Sequence, residues 1–234
     1  RLNENETGHI ITLEDPIEFV HNHKGCVVNQ REIGADSLDF KSALRSLLRQ
    51  DPDIVLVGEI RDEETAEIAV NAALTGHLMF STFHANDAAT AIPRLLDMGV
   101  EPFLVASTME LIISQRLVRR ICSFCKISKS INKTKLKKIF PTYEKYFSIE
   151  DTLYEGKGCT HCRDTKYLGR VGIFEFIRMT KEMKDLVLKN PSSTQIWDLA
   201  RSQSGQILFE DGIEKVKNGV TTIEELLRVA PPPI

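Results

Sequence analysis

Two acidic residues that follow short apolar segments are the first candidates for chemistry in this sequence. Glu14 follows the apolar run 10–13, and Glu59 comes two residues after the run 54–57. Each run has the length and composition of a buried strand, because a parallel strand is usually covered on both faces. Carboxylates at neighbouring strand ends suit metal-assisted phosphoryl transfer. One holds Mg²⁺, directly or through water, and the other orients or deprotonates the attacking water.

More acidic residues lie beside Glu14. Asp15 and Glu18 follow it, and Pro16, which restricts the backbone of Asp15, marks the end of the strand. Three carboxylates therefore lie just past one strand end. Taken by itself, such a group is equally consistent with a solvated acidic turn.

A third apolar run, 78–83, lies between two histidines. His77 precedes the run and His84 follows it. A lone histidine near a strand is usually structural, but His84 falls at the same strand-end position as Glu14 and Glu59. Ligands of open α/β sheets bind beyond the carboxyl ends of the strands. The pattern therefore predicts one site at this edge, where His84 can contact a γ-phosphate.

Four of the five cysteines form two Cys-x-x-Cys pairs, which indicate a metal site. The pairs are Cys122 with Cys125 and Cys159 with Cys162. Four thiolates satisfy the tetrahedral geometry of zinc at about 2.3 Å per bond, provided that the long intervening segment folds back. Such a closed site has no position for water, so we expect a structural role. Two unrelated cysteine pairs are the alternative, and a redox role is disfavoured because a redox pair needs no matching second pair.

The elements that position these residues follow from the spacing of apolar residues. Helical spacing over 38–50 predicts a helix capped by Asp36 or Ser37, and residues 19–35 are predicted to be loop or short irregular strands. Further helices are predicted over 66–74, 87–98, 102–117 and 223–229, with helical structure from about 180 onward.

Strands alternate with these helices up to residue 118. This alternation predicts an α/β fold with a doubly wound, mostly parallel sheet. We therefore predict three parts: a core over 1–118, a four-cysteine zinc-binding subdomain over 119–170, and a C-terminal helical subdomain over 171–234.

Composition excludes several classes of protein. The 234 residues are 42% hydrophobic and 27% charged, as in a globular protein, and the net charge of −3 gives no general case for a nucleic acid partner. No apolar run approaches the length of about 18 residues that a membrane span needs, and no signal peptide is recognisable. A Lys-rich stretch (Lys133, Lys135, Lys137 and Lys138) leaves a zinc-dependent nucleic acid binder as a distant alternative, although such a run is usually solvated surface.

One part of a nucleotide site is missing from the sequence. The phosphate-binding pattern Gly-x-x-x-x-Gly-Lys-Ser/Thr does not occur, and the only Gly-Lys pair, Gly156 and Lys157, is followed by glycine. The sequence also begins at Arg1 without an initiator Met, so we expect it to be a fragment.

Four segments resemble the secretion ATPases of type II secretion and type IV pilus assembly. Segment 11–18 (ITLEDPIE) resembles the Asp box of that family, and 48–62 (LRQDPDIVLVGEIRD) resembles its atypical Walker B motif, which carries Gly where other ATPases carry Asp. Segment 75–87 (TGHLMFSTFHAND) is similar to the His box, and 115–120 (QRLVRR) with the cysteine pairs resembles the zinc-bearing assembly branch. The motifs occur in the family order and span nearly the whole chain.

The resemblance implies a RecA-like P-loop NTPase core that is incomplete at its N-terminus. It implies ATP, Mg²⁺ and Zn²⁺ as ligands, with Glu14 as catalytic base and Glu59 as the Mg²⁺-associated glutamate. His77 and His84 are expected near the nucleotide, and Arg61 is expected to hold this edge together.

Within the Asp box, Asp15 and Glu18 are expected to contribute to cofactor binding. Family members carry the phosphate loop shortly before this box, so we expect it before Arg1, and we expect poor or no ATP binding by the isolated chain.

The family also implies partners and a location. The full-length protein is expected to form a cytoplasmic homo-hexamer, peripheral to the inner membrane, that docks on inner-membrane secretion or pilus platform proteins and couples ATP hydrolysis to extension of a pseudopilus or pilus. No direct nucleic acid partner is expected. Two alternatives stay open: the pilus retraction branch, which is not expected to carry the four cysteines, and a non-catalytic assembly module in which the boxes only hold a subunit interface.

Overall fold

The computed structural model describes residues 1–130, 133–148 and 151–232. Of the Lys-rich stretch, the side chains of Lys133 and Lys135 lie outside this description, whereas those of Lys137 and Lys138 are exposed. The strands are β1 Gly8–Glu14, β2 Cys26–Glu32, β3 Ile54–Val57, β4 Leu78–Ser81, β5 Leu111–Ile121, β6 Lys126–Ser130, β7 Thr152–Gly156 and β8 Tyr167–Arg178. The helices are α1 Leu2–Asn5, α2 Phe40–Leu47, α3 Glu63–Leu74, α4 Ala88–Asp97, α5 Pro102–Thr108, α6 Lys133–Ile139, α7 Lys181–Val187, α8 Ser193–Ser202, α9 Leu208–Lys217 and α10 Ile223–Val229.

The described chain forms two compact units. The first contains Arg1–Ile112 and Arg178–Ala200, and the second contains Ile113–Ile177 and the residues from Arg201 onward. Within the first unit, α7 packs against α5. The three-part division at 1–118, 119–170 and 171–234 stays a prediction.

A four-stranded parallel sheet forms the centre of the first unit. Its strand order is β2-β1-β3-β4, which confirms the predicted α/β fold with a mostly parallel sheet. Leu13 of β1 lies opposite Arg31 of β2 and Val57 of β3, and Val57 lies opposite Ser81 of β4. The carboxyl ends of the strands therefore meet at one edge of the sheet.

Apolar side chains of β1, β3 and α2 hold this sheet together. Alternate strand residues face the same side, so they can pack on the apolar stripe of a helix. Each large side chain removed from water contributes about 1.5–3 kcal/mol. The buried cluster includes Ile11, Leu13, Leu44, Leu47, Val55 and Val57.

The start of α2 differs from the prediction. The side chain of Asp39, not that of Asp36 or Ser37, caps the helix by accepting a hydrogen bond from the backbone N–H of Ser42. Asp36 is engaged elsewhere, because its carboxylate accepts from the backbone N–H of Glu32. The helix therefore begins later than its apolar pattern indicated.

The predicted helix over 102–117 is wrong beyond its first two turns. Helix α5 ends at Thr108, and the chain continues as the 11-residue strand β5. Met109 already has an extended backbone, and β-branched residues such as Ile112 and Ile113 follow it. Pairing with β8 decides the outcome, because it supplies partners that are distant in the sequence.

The second unit contains a two-stranded ribbon and a hairpin. Strand β5 pairs with β8 to form the ribbon. Strand β6 pairs antiparallel with β7 to form the hairpin, with Lys126 opposite Gly156 and Ser130 opposite Thr152. This hairpin brings the two segments that carry the cysteine pairs back to each other. Helix α10 begins at its predicted residue, where the Thr222 side chain accepts from the N–H of Glu225.

A buried carboxylate fixes α10 to β5. Glu225 has no exposed side-chain surface, and it accepts hydrogen bonds from the backbone N–H and the guanidinium of Arg119, both at 2.9 Å. The guanidinium of Arg228 donates to both oxygens, at 2.7 and 2.9 Å. Burial raises the pKa of Glu225, but these donors more than offset it and lower the pKa to about 2.

We expect Glu225→Gln to destabilise the second unit by about 2 kcal/mol, because a buried carboxylate with charged donors is replaced by a neutral amide. The measurement is urea unfolding followed by circular dichroism at pH 7. Since the folded pKa is depressed from 4.5 to about 2, this stabilisation is present above pH 4.5 and is lost as the pH falls toward 2. The matched control is Glu224→Gln at the exposed neighbouring position, and equal stability of the two variants would contradict this role.

Candidate active site

Glu14 is the last residue of β1 and is held there by two donors. The Thr12 hydroxyl donates to its Oε1 atom at 2.6 Å, and the side-chain amide of Gln30 donates to the same oxygen at 2.9 Å. The parallel register explains this contact, because Gln30 of β2 lies opposite Thr12 of β1 and its side chain emerges beside Glu14. The carboxylate is half-buried at the edge of the sheet.

Glu59 lies two residues beyond the end of β3 and contacts Arg61 and the ring of His84. Arg61 forms an ion pair with Oε1, and the His84 ring lies 3.3 Å from Oε2. Only 12% of the Glu59 side chain is exposed, against 62% for Arg61 and 79% for His84. The hydrogen bond from Arg61 lowers the pKa of Glu59 against the opposing effect of burial, and His84 contributes in the same direction.

Backbone contacts tie the three strand ends together. The N–H of Gly58 donates to the carbonyl of Leu13 at 2.7 Å, and the Thr82 hydroxyl donates to the carbonyl of Gly58 at 2.5 Å. A Cβ atom at position 58 would lie 3.0 Å from the Leu13 carbonyl oxygen and 3.4 Å from Cα of Glu14. The absence of a side chain at Gly58 therefore lets the end of β3 approach Glu14 closely.

The other predicted cofactor-binding residues occupy the same edge but are exposed. Asp15 is close enough to Arg61 to raise the pKa of that guanidinium, after the larger effect of Glu59. Glu18 is exposed in the segment that follows β1. Neither residue is buried as a structural acid would be.

The structure places His77 away from the other predicted catalytic residues. His77 precedes β4, at the amino edge of the sheet, whereas His84 follows it. The four residues of β4 span about 13 Å at roughly 3.3 Å each. The His77 ring donates through Nδ1 to the carbonyl of Ala72 at 2.9 Å and so closes the turn between α3 and β4.

Two residues of the site escaped the sequence analysis. Residues 19–35 were predicted to be loop or irregular strand, yet β2 runs through them and pairs with β1 over its full length. Its side chains Gln30 and Glu32 both face the site: Gln30 holds Glu14, and Glu32 accepts the N–H of Ile17 at 3.0 Å. Val28, Gln30 and Glu32 are alternate residues, which share one face of a strand, and this spacing was the available signal. The polar edge strand β2 lacks the apolar run that marks β1 and β3.

The carboxylates of this edge have the chemistry that a magnesium ion requires. Mg²⁺ prefers oxygen ligands and is usually bound through one or two carboxylates together with substrate phosphates. Glu59 fits this role, because the Arg61 guanidinium and the His84 ring already lie against its two oxygens. A metal ion there would take the place of a cation that the carboxylate now holds.

The four cysteines form a second centre, in the second unit. Their sulfur atoms all lie within 4.8 Å of one another, with Cys122 3.9 Å from Cys159 and Cys125 3.9 Å from Cys162. Tetrahedral zinc with bonds of about 2.3 Å requires sulfur atoms about 3.8 Å apart, so the arrangement fits zinc. The alternative of two unrelated cysteine pairs is thereby disfavoured.

Backbone donors prepare these thiols for a cation. The N–H groups of Gly158 and Cys159 each lie 3.3 Å from a cysteine sulfur. Burial raises the pKa of Cys125 to about 11, whereas backbone donors outweigh burial at Cys162 and lower its pKa to about 7. His161, between two of the cysteines, is stacked on Phe124 with ring centroids 4.0 Å apart.

We expect Arg61→Gln to raise the pKa of the Glu59 carboxyl toward its ordinary value, because the strongest donor to the carboxylate is removed. The change is measurable by NMR titration of the carboxyl carbon in glutamate-labelled protein. Arg45→Gln is the control, since Arg45 pairs with Glu64 on the surface of the same unit. A Glu59 titration that is unchanged in Arg61→Gln would contradict the pairing described here.

Comparison with known proteins gives a consistent result. A family model described as type II/IV secretion system protein matches residues 1–228. The type IV pilus assembly ATPase TfpB of Acinetobacter baylyi is 43% identical over 223 residues, which cover 95% of this chain and 37% of that protein. Type II secretion system protein E of Pseudomonas aeruginosa is 44% identical over 226 residues, which cover 95% of this chain and 43% of that protein.

Solved structures share the fold. The pilus retraction motor PilT with bound ADP matches with a TM-score of 0.72 at 31% identity, over 99% of this chain and 55% of that one. The Legionella pneumophila ATPase DotB matches with a TM-score of 0.68 at 24% identity, over 96% of this chain and 52% of that one. Among the described residues, no helix is both long and apolar enough to cross a membrane.

The chain spans about two fifths of the length of the two curated relatives named above. Within that span the match is nearly continuous, and the resemblance drawn from the sequence motifs is confirmed. This chain belongs to the type II/IV secretion system protein family, whose relatives named here include secretion and pilus ATPases.

Proposed function

We propose that this chain is part of an ATP-hydrolysing motor subunit of type II secretion or type IV pilus assembly, with a RecA-like nucleotide-binding core. The proposal rests on one observation: Glu14, Glu59 and His84 all follow strands of one parallel sheet at its carboxyl edge. In open α/β sheets this edge is where ligands bind. The identity of over 40% to a pilus assembly ATPase and to a type II secretion protein supports it.

In the proposed reaction Glu14 is the general base. Its carboxylate takes a proton from the attacking water as the new oxygen–phosphorus bond forms and the bond to the ADP oxygen breaks. Glu59 would hold Mg²⁺, directly or through water, and the ion would supply positive charge against the phosphates. His84 contacts the γ-phosphate from the adjacent strand end, and Arg61 holds Glu59 while the site is empty. Asp15 and Glu18 contribute to binding of the metal–nucleotide complex.

His77 has a different role in this proposal from the one that the family resemblance implied. Its hydrogen bond to the carbonyl of Ala72 closes the turn from α3 into β4. From the amino edge it acts on the site only through the position of β4, not by contact with the phosphate of the same chain.

The phosphate-binding loop must come from another segment of the longer protein. Strand β4 supports this inference, because it lies at the edge of the sheet with Leu78 47% and Phe80 42% exposed. A strand that is apolar on both faces is expected in the interior of a parallel sheet. An additional strand beside β4 would bury these side chains and present its loop at the same edge as Glu59.

The cysteine centre favours the assembly branch over the retraction branch. We propose that Cys122, Cys125, Cys159 and Cys162 hold one structural Zn²⁺ that fixes the two ends of the segment containing the β6–β7 hairpin.

By analogy with the family, the complete protein works as a cytoplasmic homo-hexamer on inner-membrane platform proteins. A non-catalytic assembly module is the alternative, and it predicts no ATPase activity to lose.

The complete protein that contains this chain is expected to hydrolyse ATP, and Glu14→Gln is expected to lower kcat by about 100-fold or more, because the base that accepts the proton is removed. Glu59→Gln is expected to lose comparable activity and to weaken the dependence on Mg²⁺. Steady-state phosphate release is the measurement, with Glu67→Gln on the exposed face of α3 as control. Full activity of Glu14→Gln would rule out its role as base, and an inactive wild-type protein would favour the assembly module.

The purified chain is expected to contain about one zinc ion, measured by elemental analysis. Cys159→Ser and Cys162→Ser should each lose it and lower the thermal unfolding temperature, because metal binding is coupled to folding. Cys26→Ser should keep the zinc, since Cys26 is buried elsewhere in the first unit. A wild-type chain without zinc would remove the main argument for the assembly branch.

A further inference from the structure

The two hydrogen bonds to Glu14 are placed unequally on its carboxylate. Both Thr12 and Gln30 donate to Oε1, at 2.6 and 2.9 Å. Among the residues that the structure describes, none donates a hydrogen bond to Oε2. Two donors stabilise negative charge on the oxygen that they share. The outer oxygen, Oε2, is therefore the one left to take a proton.

Gln30 makes two further contacts with the same side chain. Its carbonyl oxygen accepts the backbone N–H of His21 at 2.7 Å, and its amide also donates to the carbonyl of Phe19 at 2.9 Å. These partners belong to the segment after the Asp15–Pro16 turn. Gln30 thus connects the conformation of this segment to the orientation of the Glu14 carboxylate.

The connected segment presents an apolar tip to solvent. Phe19 is 75% exposed and Val20 is 85% exposed. The contacts with Gln30 lie on either side of Val20, at the Phe19 carbonyl and the His21 N–H, and hold this part of the segment in place. These two bonds and the bond to Glu14 all depend on the same amide group.

From this geometry we propose that Gln30 is a positioning residue for the reaction: it fixes the Glu14 carboxylate so that Oε2 faces the attacking water, and it couples this orientation to the segment Ile17–His21. The inference rests on the proposed ATPase function. Gln30 touches neither substrate nor metal in this role. It acts through Glu14, and its effect should differ from a general loss of stability.

Loss of the Gln30 donor has two consequences. The carboxylate becomes free to rotate, which lowers the fraction of the time that it is aligned with water. The backbone N–H of His21 and the carbonyl of Phe19 also lose the partner that they share, so the segment Ile17–His21 is released. Gln30→Ala should therefore slow the reaction without weakening ATP binding, and it should also expose the His21 amide. A merely structural role for Gln30 predicts a lower unfolding temperature, but no change confined to kcat and to this segment.

The test compares Gln30→Ala and Gln30→Glu in the complete protein with Asn71→Ala as the control, because Asn71 carries an exposed amide side chain on α3. We expect Gln30→Ala to lower kcat about 10-fold, with little change in KM for ATP. Gln30→Glu should lower kcat at least as much, because it removes the amide donor and places a second carboxylate against Glu14. Asn71→Ala should match the wild type.

A second measurement keeps the inference independent of the proposed function. In this chain, hydrogen exchange of the His21 amide should be faster in Gln30→Ala than in wild type, whether or not ATP is hydrolysed, because that amide donates to the Gln30 carbonyl oxygen. An unchanged exchange rate, or a rise in KM with no fall in kcat, would overturn the positioning role. An inactive wild-type protein whose Gln30→Ala variant shows faster His21 exchange would instead sink the proposed function and leave the coupling of Gln30 to this segment standing.

Discussion

The parallel pairing of β1 with β3 is the constraint on which the candidate active site depends. It sets Leu13 opposite Val57, and the hydrogen bond from Gly58 to Leu13 continues the pairing one step past the end of β3. The absence of a side chain at Gly58 eases this step, because a Cβ atom there would lie 3.0 Å from the Leu13 carbonyl oxygen. A slip of one residue would turn the apolar side chains out of the core and move the carboxylates apart. Burial of the β1–β3 core therefore also fixes the geometry of the site.

The two centres of the chain follow different physical rules. At the sheet edge, Glu59 stays charged because Arg61 and His84 surround it, and its partners are exposed enough to be exchanged for other cations. At the cysteine centre, four thiols are held together by the β6–β7 hairpin, and such a closed set of ligands leaves no position for a substrate. The first arrangement suits turnover, and the second suits a permanent structural metal.

The sequence was informative wherever one interaction dominated. The runs of β1 and β3, the range of α10 and the four cysteines were all predicted, because burial, helical periodicity and metal ligation leave local patterns. It failed where partners distant in sequence decide the structure. Strand β2 is polar and exists through its pairing with β1, and β5 was mistaken for helix because its partner β8 lies about fifty residues away. The roles of Gln30 and Gly58 became visible only once the register was known.

The central claim is that Glu14 and Glu59 act on one metal–nucleotide complex at the carboxyl edge of this sheet. The most direct measurement is an experimental structure of the complete protein with Mg²⁺ and a non-hydrolysable ATP analogue. The account predicts Mg²⁺ within one water of Glu59, and a water between the γ-phosphate and Oε2 of Glu14 at about 3 Å from that oxygen. A nucleotide bound away from this edge, or one whose γ-phosphate faces neither carboxylate, would contradict it.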